Sequence, residues 1–254
     1  MKAIAIIPAR YGSSRFEGKP LADIMGKSMI RRVYEQVCRC TGLAGVWVAT
    51  DDERIAAHLD SFGARYCMTS PDLPNGTLRC YRAYADTVKA EIGEVDVIVN
   101  VQGDEPFIAP QAIETVVKAF EDGPEKDIVT LVKRIASPEF LFDPNVVKVV
   151  RDVRGRALYF SRQAIPFQRD AAADAGAWLH ATPYFKHIGL YAYRSEVLAE
   201  LVALETGRLE KAESLEQLRW LENGYTIYGC ETDYESVSVD RPEDIETLKK
   251  MWKL

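Results

Sequence analysis

One recurring unit constrains this chain more than any other feature: a short strand-length run, a polar stop, then a helical stretch. Residues 2–7 carry Ala-Ile-Ala-Ile-Ile, 46–49 are short and apolar, 65–69 form a third run, and 96–101 contain Val-Ile-Val-Asn-Val. Apolar runs without alternation read as strands buried on both faces. Between the strands, residues 29–40 place Met29, Ile30, Val33 and Val37 on one side of a helix. Thr50 or Asp51 is expected to cap a helix reaching about residue 62, with Asp51 and Asp52 both read as cap residues. Residues 79–88 and 109–120 are helical, and 128–132 is strand-like. Strand and helix alternating in this way predict a Rossmann-like, doubly wound, mostly parallel α/β sheet. In such a sheet the carboxyl ends of the strands share one edge, and ligands bind there. The segments at 8–19, 50–51, 75–79 and 102–105 are therefore expected to converge on one crevice.

The first of these segments is rich in anion-binding chemistry. From Pro8 to Pro20 it holds Arg10, Arg15 and Lys19 together with Gly12, Ser13, Ser14 and Gly18. Glycine permits backbone shapes in which N–H groups converge on an anion. Arginine offers a planar fork to phosphate oxygens, and lysine a compact cation. The plainer alternative is an ordinary strand-to-helix connection with solvated cations, since the Gly-rich pattern ending in Lys-Ser/Thr is missing.

Two acids stand where folding alone explains them poorly. Asp104 follows the apolar run at 96–101 within Gln102-Gly103-Asp104-Glu105-Pro106, and Asp240 follows Val239 ahead of Pro242. Burying an unpaired carboxylate is costly, whereas a hard divalent cation such as Mg²⁺ takes one or two carboxylates plus phosphate oxygens. Helix capping is the alternative for both acids. His58, His180 and His187 have no metal-ligand spacing, which argues against zinc.

At 254 residues and 47% hydrophobic, the chain is long enough for one large α/β domain with an insertion. The formal charge of −6 argues against a nucleic-acid partner but leaves room for a small anionic ligand at a local basic cluster. No apolar stretch approaches the roughly 20 residues that span a bilayer, so no membrane insertion is expected. The first residues run straight into a strand rather than a leader. Five cysteines, an odd count without metal-type spacing, point to a reducing, cytoplasmic setting, and Cys38 and Cys40, on different faces of a helical stretch, are read as buried or half-buried thiols. The second half is less regular. It predicts strands at 146–150, 157–160, 185–193, 226–230 and 237–239, helices at 195–203, 213–223 and 241–252, and a mobile loop or interface arm at 170–182.

The ordered set of motifs is specific. Ile-Pro-Ala-Arg-Tyr-Gly-Ser-Ser-Arg-Phe, Val-Ala-Thr-Asp-Asp, Asn-Val-Gln-Gly-Asp-Glu-Pro, Tyr-Phe-Ser-Arg, Lys-His-Ile-Gly-Leu-Tyr-Ala-Tyr, Glu-Ser-Leu-Glu-Gln-Leu-Arg and Val-Asp-x-Pro-Glu-Asp occur in that order from Ile4 to about Leu248. Over nearly its whole length the chain resembles the 3-deoxy-manno-octulosonate cytidylyltransferase (CMP-Kdo synthetase) family. The resemblance implies a nucleotidyltransferase fold, a homodimer and Mg²⁺-dependent joining of CTP and Kdo for lipopolysaccharide synthesis. It implies one domain, with a CTP-binding half at about 1–135, a sugar-binding and dimer region at about 136–235, and a metal-ligand end at 236–254. Carried over, Pro8, Ala9, Arg10, Arg15, Lys19, Arg79 and Gln102 contact the nucleotide, and Lys19, Asp104 and Asp240 are catalytic, with both acids on the metal. Arg162, His187, Tyr191, Glu216 and Gln217 line the sugar pocket.

Three positions depart from the family pattern. Leu78 replaces an acid, Glu17 replaces a proline, and Arg241 follows Asp240 as in a related group acting on 8-amino-3,8-dideoxy-octulosonate. That amino sugar is therefore an alternative substrate. A nucleotide-sugar glycosyltransferase and a non-catalytic CTP-binding protein are alternatives of other classes.

Overall fold

The computed structural model describes residues 1–12, 15–123, 125–171, 175–235 and 237–251. Ser13, Ser14 and Trp252 lie outside the described residues. The chain divides into two compact units, Met1–Val117 with Glu235–Leu254, and Lys118–Tyr234.

In the first unit, β1 (Ala3–Ala9), β2 (Leu43–Thr50), β3 (Tyr66–Met68) and β4 (Val97–Asn100) form a parallel sheet in the order β4-β1-β2-β3. Ala3, Ile4, Ala5, Ile6 and Ile7 are fully buried, as are Val97, Ile98 and Val99. That is why these runs lack a polar face. Each buried isoleucine contributes roughly 1.5–3 kcal/mol by leaving water. The chain steps outward from β1 to β3 and returns to pair β4 on the other side of β1. This is the strand order of a Rossmann half, and its switch point lies between β1 and β4.

Helices α1 (Met29–Val37), α2 (Glu53–Asp60) and α3 (Gly76–Ala83) connect these strands. α1 buries Met29, Ile30, Val33 and Val37, as their spacing predicts. α2 is capped by Asp52, which accepts from the Arg54 N–H, rather than by Thr50 or Asp51. α3 begins three residues before its expected start because Asn75 accepts from the Leu78 N–H at 2.9 Å. The expected strand at 237–239 does not form. Val239 is held by a core of Ile24, Met29 and Leu248, and its N–H donates to the Asp104 carbonyl at 2.9 Å. Its carbonyl is taken by a side chain, so no strand partner is needed.

In the second unit, β5 (Ile128–Arg134) pairs antiparallel with the strand Phe185–Arg194 and parallel with Ile227–Glu231. Lys148–Arg151 joins Phe185–Arg194 and Ala157–Ser161, both antiparallel. Two further expectations change here. Residues 170–182 include the helix Ala175–Ala181, whose Trp178 is buried in a cluster with Ile135, Leu141 and Tyr184. The expected helix at 213–223 is two helices, Arg208–Glu213 and Gln217–Glu222. Ser214, at φ 53°, breaks the path between them. Glu216 is consequently a cap position rather than mid-helix. All five thiols are free, and Cys38 is exposed rather than half-buried. Among the described residues no helix is long and apolar enough to cross a membrane.

Candidate active site

A cleft of about 250 Å³ opens in the first unit at the carboxyl edge of its sheet, lined by Pro8, Ala9, Arg10, Arg15, Lys19, Asn75, Gly76, Arg79, Gln102, Gly103, Asp104 and Asp240 among others. These residues come from the ends of β1 and β4, the start of α3 and the segment after Val239. Every nucleotide and metal residue expected from the sequence is in this set. The close fit of the β1 and β4 ends requires glycine: a Cβ at Gly103 would lie 2.6 Å from the Pro8 carbonyl oxygen. The cationic loop is folded back on itself, since the Gly18 N–H donates to the Tyr11 carbonyl at 3.0 Å. Gly18 does so at φ 69°, against the Tyr11 ring, a conformation that suits glycine.

Lys19 is the centre of the charge network. Its ammonium lies 2.8 Å from Asp104 Oδ2 and 3.7 Å from Asp240 Oδ1, and it donates to the Val239 carbonyl at 2.9 Å. Arg15 reaches Asp240 at 3.1 Å. Neither acid caps the helix that follows it. The helix Pro110–Glu121 begins well after Asp104. Ahead of Pro242–Met251, it is Asp244 that accepts from the Asp240 and Arg241 N–H groups, both at 2.8 Å. Both carboxylates are thus left to face cations. Among the described residues no three His, Cys, Asp or Glu side chains form a metal cage. Two acids sharing one ammonium is instead a donor set for a hard cation that also takes ligand oxygens.

Arg79 is almost wholly buried and is held by partners the sequence did not reveal. It donates to Thr69 Oγ1 at 2.6 Å and to Asp51 Oδ2 at 2.9 Å. The other Asp51 oxygen accepts from the Tyr11 N–H at 3.3 Å. The signal for Asp51 was that one of two adjacent acids suffices for a cap.

The residues expected to line a sugar pocket, Arg162, His187, Tyr191, Glu216 and Gln217, all lie in the second unit. His187 and Tyr191 sit on either side of a register shift in their strand, with ring centroids 5.2 Å apart. Thr130 fills the shift, its hydroxyl lying within reach of the Ile188 and Leu190 carbonyls and 3.0 Å from His187 Nε2. The hydroxyl proton goes to a carbonyl, so His187 donates through Nε2 and keeps a lone pair on Nδ1. Burial pushes the His187 imidazole down to about 3, so it is neutral near pH 7. Burial, followed by the Glu216 charge, pushes the Tyr191 hydroxyl well up, and that hydroxyl is a buried polar group without a hydrogen-bond partner. Arg162 donates to the carbonyls of Glu213 (2.7 Å), Pro144 (3.1 Å) and Ser214 (3.4 Å), an anchored rather than a mobile cation. Gln217 is buried at the start of its helix.

Comparison with known proteins agrees with this geometry. The family pattern described as cytidylyltransferase matches residues 4–232. A 3-deoxy-manno-octulosonate cytidylyltransferase from Bacteroides thetaiotaomicron is 50% identical over 256 aligned positions, covering 100% of this chain and 99% of that protein. An 8-amino-3,8-dideoxy-manno-octulosonate cytidylyltransferase from a Shewanella species is 47% identical, covering 98% of each. A solved structure of CMP:2-keto-3-deoxy-manno-octonic acid synthetase complexed with CTP superposes with a TM-score of 0.89 at 41% identity, covering 100% of this chain and 99% of that one. With the family pattern spanning most of the sequence and the same architecture in the solved relative, the chain belongs to the cytidylyltransferase family.

Proposed function

We propose that this enzyme joins CTP to 3-deoxy-D-manno-octulosonate, giving CMP-Kdo and pyrophosphate for lipopolysaccharide synthesis. The observation that carries the reading is Lys19, held between Asp104 and Asp240 in a cleft that also presents Arg10, Arg15, Arg79 and Gln102. The anomeric hydroxyl of the sugar attacks the α-phosphorus, the bond to the β-phosphate oxygen breaks, and pyrophosphate leaves with the electron pair. The hydroxyl proton is lost to solvent or buffer; no residue is assigned as its base. Lys19, Arg10 and Arg15 bind and orient the phosphates and offset charge that builds on the leaving group. Pro8, Ala9, Arg79 and Gln102 bind the nucleotide. Asp104 and Asp240 would hold Mg²⁺, which would supply further charge neutralisation on the phosphates.

In the second unit Arg162, His187, Tyr191, Glu216 and Gln217 recognise the sugar acid. A neutral His187 suits a hydroxyl rather than the carboxylate. The protein works as a homodimer, supported by the exposed Phe140, Phe142, Leu158 and Phe167 of that unit, and sedimentation velocity tests this. Five free thiols support a reducing, cytoplasmic setting. A second reading, the 8-amino sugar as substrate, is favoured by Arg241 after Asp240 and by the Shewanella relative. The test is CTP-dependent pyrophosphate release with Mg²⁺ and each sugar acid in turn. Turnover of Kdo is expected; turnover of the amino sugar alone selects the second reading, and turnover of neither refutes both.

A further inference from the structure

Asp51 directly follows the last residue of β2, and Asp52 performs the capping that would otherwise explain it. The Asp51 and Arg79 side chains are 10% and 3% exposed. A guanidinium so deeply buried needs a counter-ion, and Asp51 supplies it at 2.9 Å. Thr69 completes the hold. Its hydroxyl donates to the Thr50 carbonyl at 3.0 Å, which leaves its oxygen to accept from Arg79. Asp51 meanwhile accepts from the Tyr11 N–H, in the cationic loop after β1. One carboxylate therefore ties Arg79, a wall residue of the cleft, to the backbone of the loop that carries Arg10, Arg15 and Lys19.

We propose that Asp51 is a positioning residue for nucleotide binding, fixing Arg79 and the Tyr11 backbone relative to each other. This rests on reading the cleft as the CTP site. A guanidinium carries five N–H bonds. One donated to Thr69 and one to Asp51 leave others for an oxygen-rich ligand, and the direction in which they are presented is set before the ligand arrives. Such pre-organisation lowers the ordering cost of binding. Asp51 touches no reacting atom and acts on the nucleotide side only.

The variants Asp51→Asn, Arg79→Gln and their double test this by initial rates of pyrophosphate release, with CTP and the sugar acid varied in turn. In Asp51→Asn the Oδ1 acceptor for Tyr11 persists while the charge facing Arg79 is lost. It should raise the KM for CTP about tenfold, with the sugar-acid KM changed less than about twofold. The double variant should match Arg79→Gln alone, because Asp51 then has no guanidinium to hold. Equal rises in both KM values, or fold-changes that multiply in the double variant, overturn the proposal. If Asp51→Asn fails to fold with Arg79 uncompensated, the double variant carries no buried charge and is decisive: a wild-type KM for CTP overturns the proposal. If the unaltered enzyme releases no pyrophosphate from CTP with any sugar acid, the reading of the cleft falls, and this proposal with it.

Discussion

His187 should make the protein lose stability on mild acidification. Its ring is packed against Phe160 and Tyr191 and bonded to Thr130. Burial holds it neutral down to about pH 3, whereas an unfolded histidine titrates near 6.5. Above pH 6.5 both states are neutral at this group and it contributes no pH dependence. Between 6.5 and 3 only the unfolded chain takes up the proton, so stability falls as pH falls. At about 1.36 kcal/mol per unit, the loss from His187 alone at pH 5 is about 2 kcal/mol. The assay is urea unfolding at pH 7.5 and pH 5, followed by tryptophan fluorescence, for the wild type and His187→Gln. Glutamine can still donate to Thr130 but does not titrate. Other groups act equally in both proteins, so the wild type should lose about 2 kcal/mol more than the variant. Equal losses, or a histidine carbon signal that disappears in the variant and titrates near 6.5 in the wild type, would refute an imidazole held neutral by its surroundings.

The cleft supports three more tests. Asp104→Asn should lower Mg²⁺-dependent turnover more than about a hundredfold while the circular dichroism spectrum and thermal midpoint stay near wild type; near-normal turnover would sink the shared-carboxylate site. Lys19→Ala should raise the KM for CTP roughly ten- to hundredfold, the worth of a charge-assisted hydrogen bond, yet tighten Mn²⁺ binding to the nucleotide-free protein as read by electron paramagnetic resonance. Weaker Mn²⁺ binding would mean that the ammonium does not compete for the two acids. Gly103→Ala, which sets a Cβ against the Pro8 carbonyl 2.6 Å away, should cost about 1–3 kcal/mol by overpacking; an unchanged thermal midpoint would show that β1 and β4 part without strain.

What the sequence disclosed follows from what periodicity can encode. The uninterrupted apolar run of β1 and the Met29, Ile30, Val33 and Val37 stripe of α1 each have a repeat that only one element satisfies, and both formed as read. Strand order brought the remote ends at Pro8, Asn75, Gln102 and Asp104 to one cleft, because parallel strands share their carboxyl edge. Partner choice was less legible. Asp51 and Asp52 precede the same helix and both suit its dipole, and only the fold shows that Asp51 is instead taken by Arg79, 28 residues further on. The helix expected through 213–223 has helical composition throughout, and the positive φ that splits it at Ser214 leaves no mark on residue type. Val237 to Val239 has the composition of a strand, but its pattern cannot say whether a neighbour is available. Burial in the Ile24 and Leu248 core fixes Val239 without one.

That last difference bears on how the cleft is charged. Asp240 is placed by the packing of Val239 and not by a sheet ladder, so the two acids arrive from independent supports: Asp104 from the end of β4, Asp240 from the C-terminal segment. The Val239 N–H to Asp104 carbonyl bond joins those supports, and Lys19 bridges the acids themselves. An ammonium held by two carboxylates is ordered in advance but poorly available to phosphates. A divalent cation that took the carboxylates would free the same ammonium for the nucleotide. Lys19 would then oppose the metal when the nucleotide is absent and work alongside it when the nucleotide is bound. On that arrangement the affinity of each ligand should rise when the other is present, and by linkage the factor should be the same in both directions. Without Lys19 that coupling should shrink, which is why its removal is expected to move the two affinities in opposite directions.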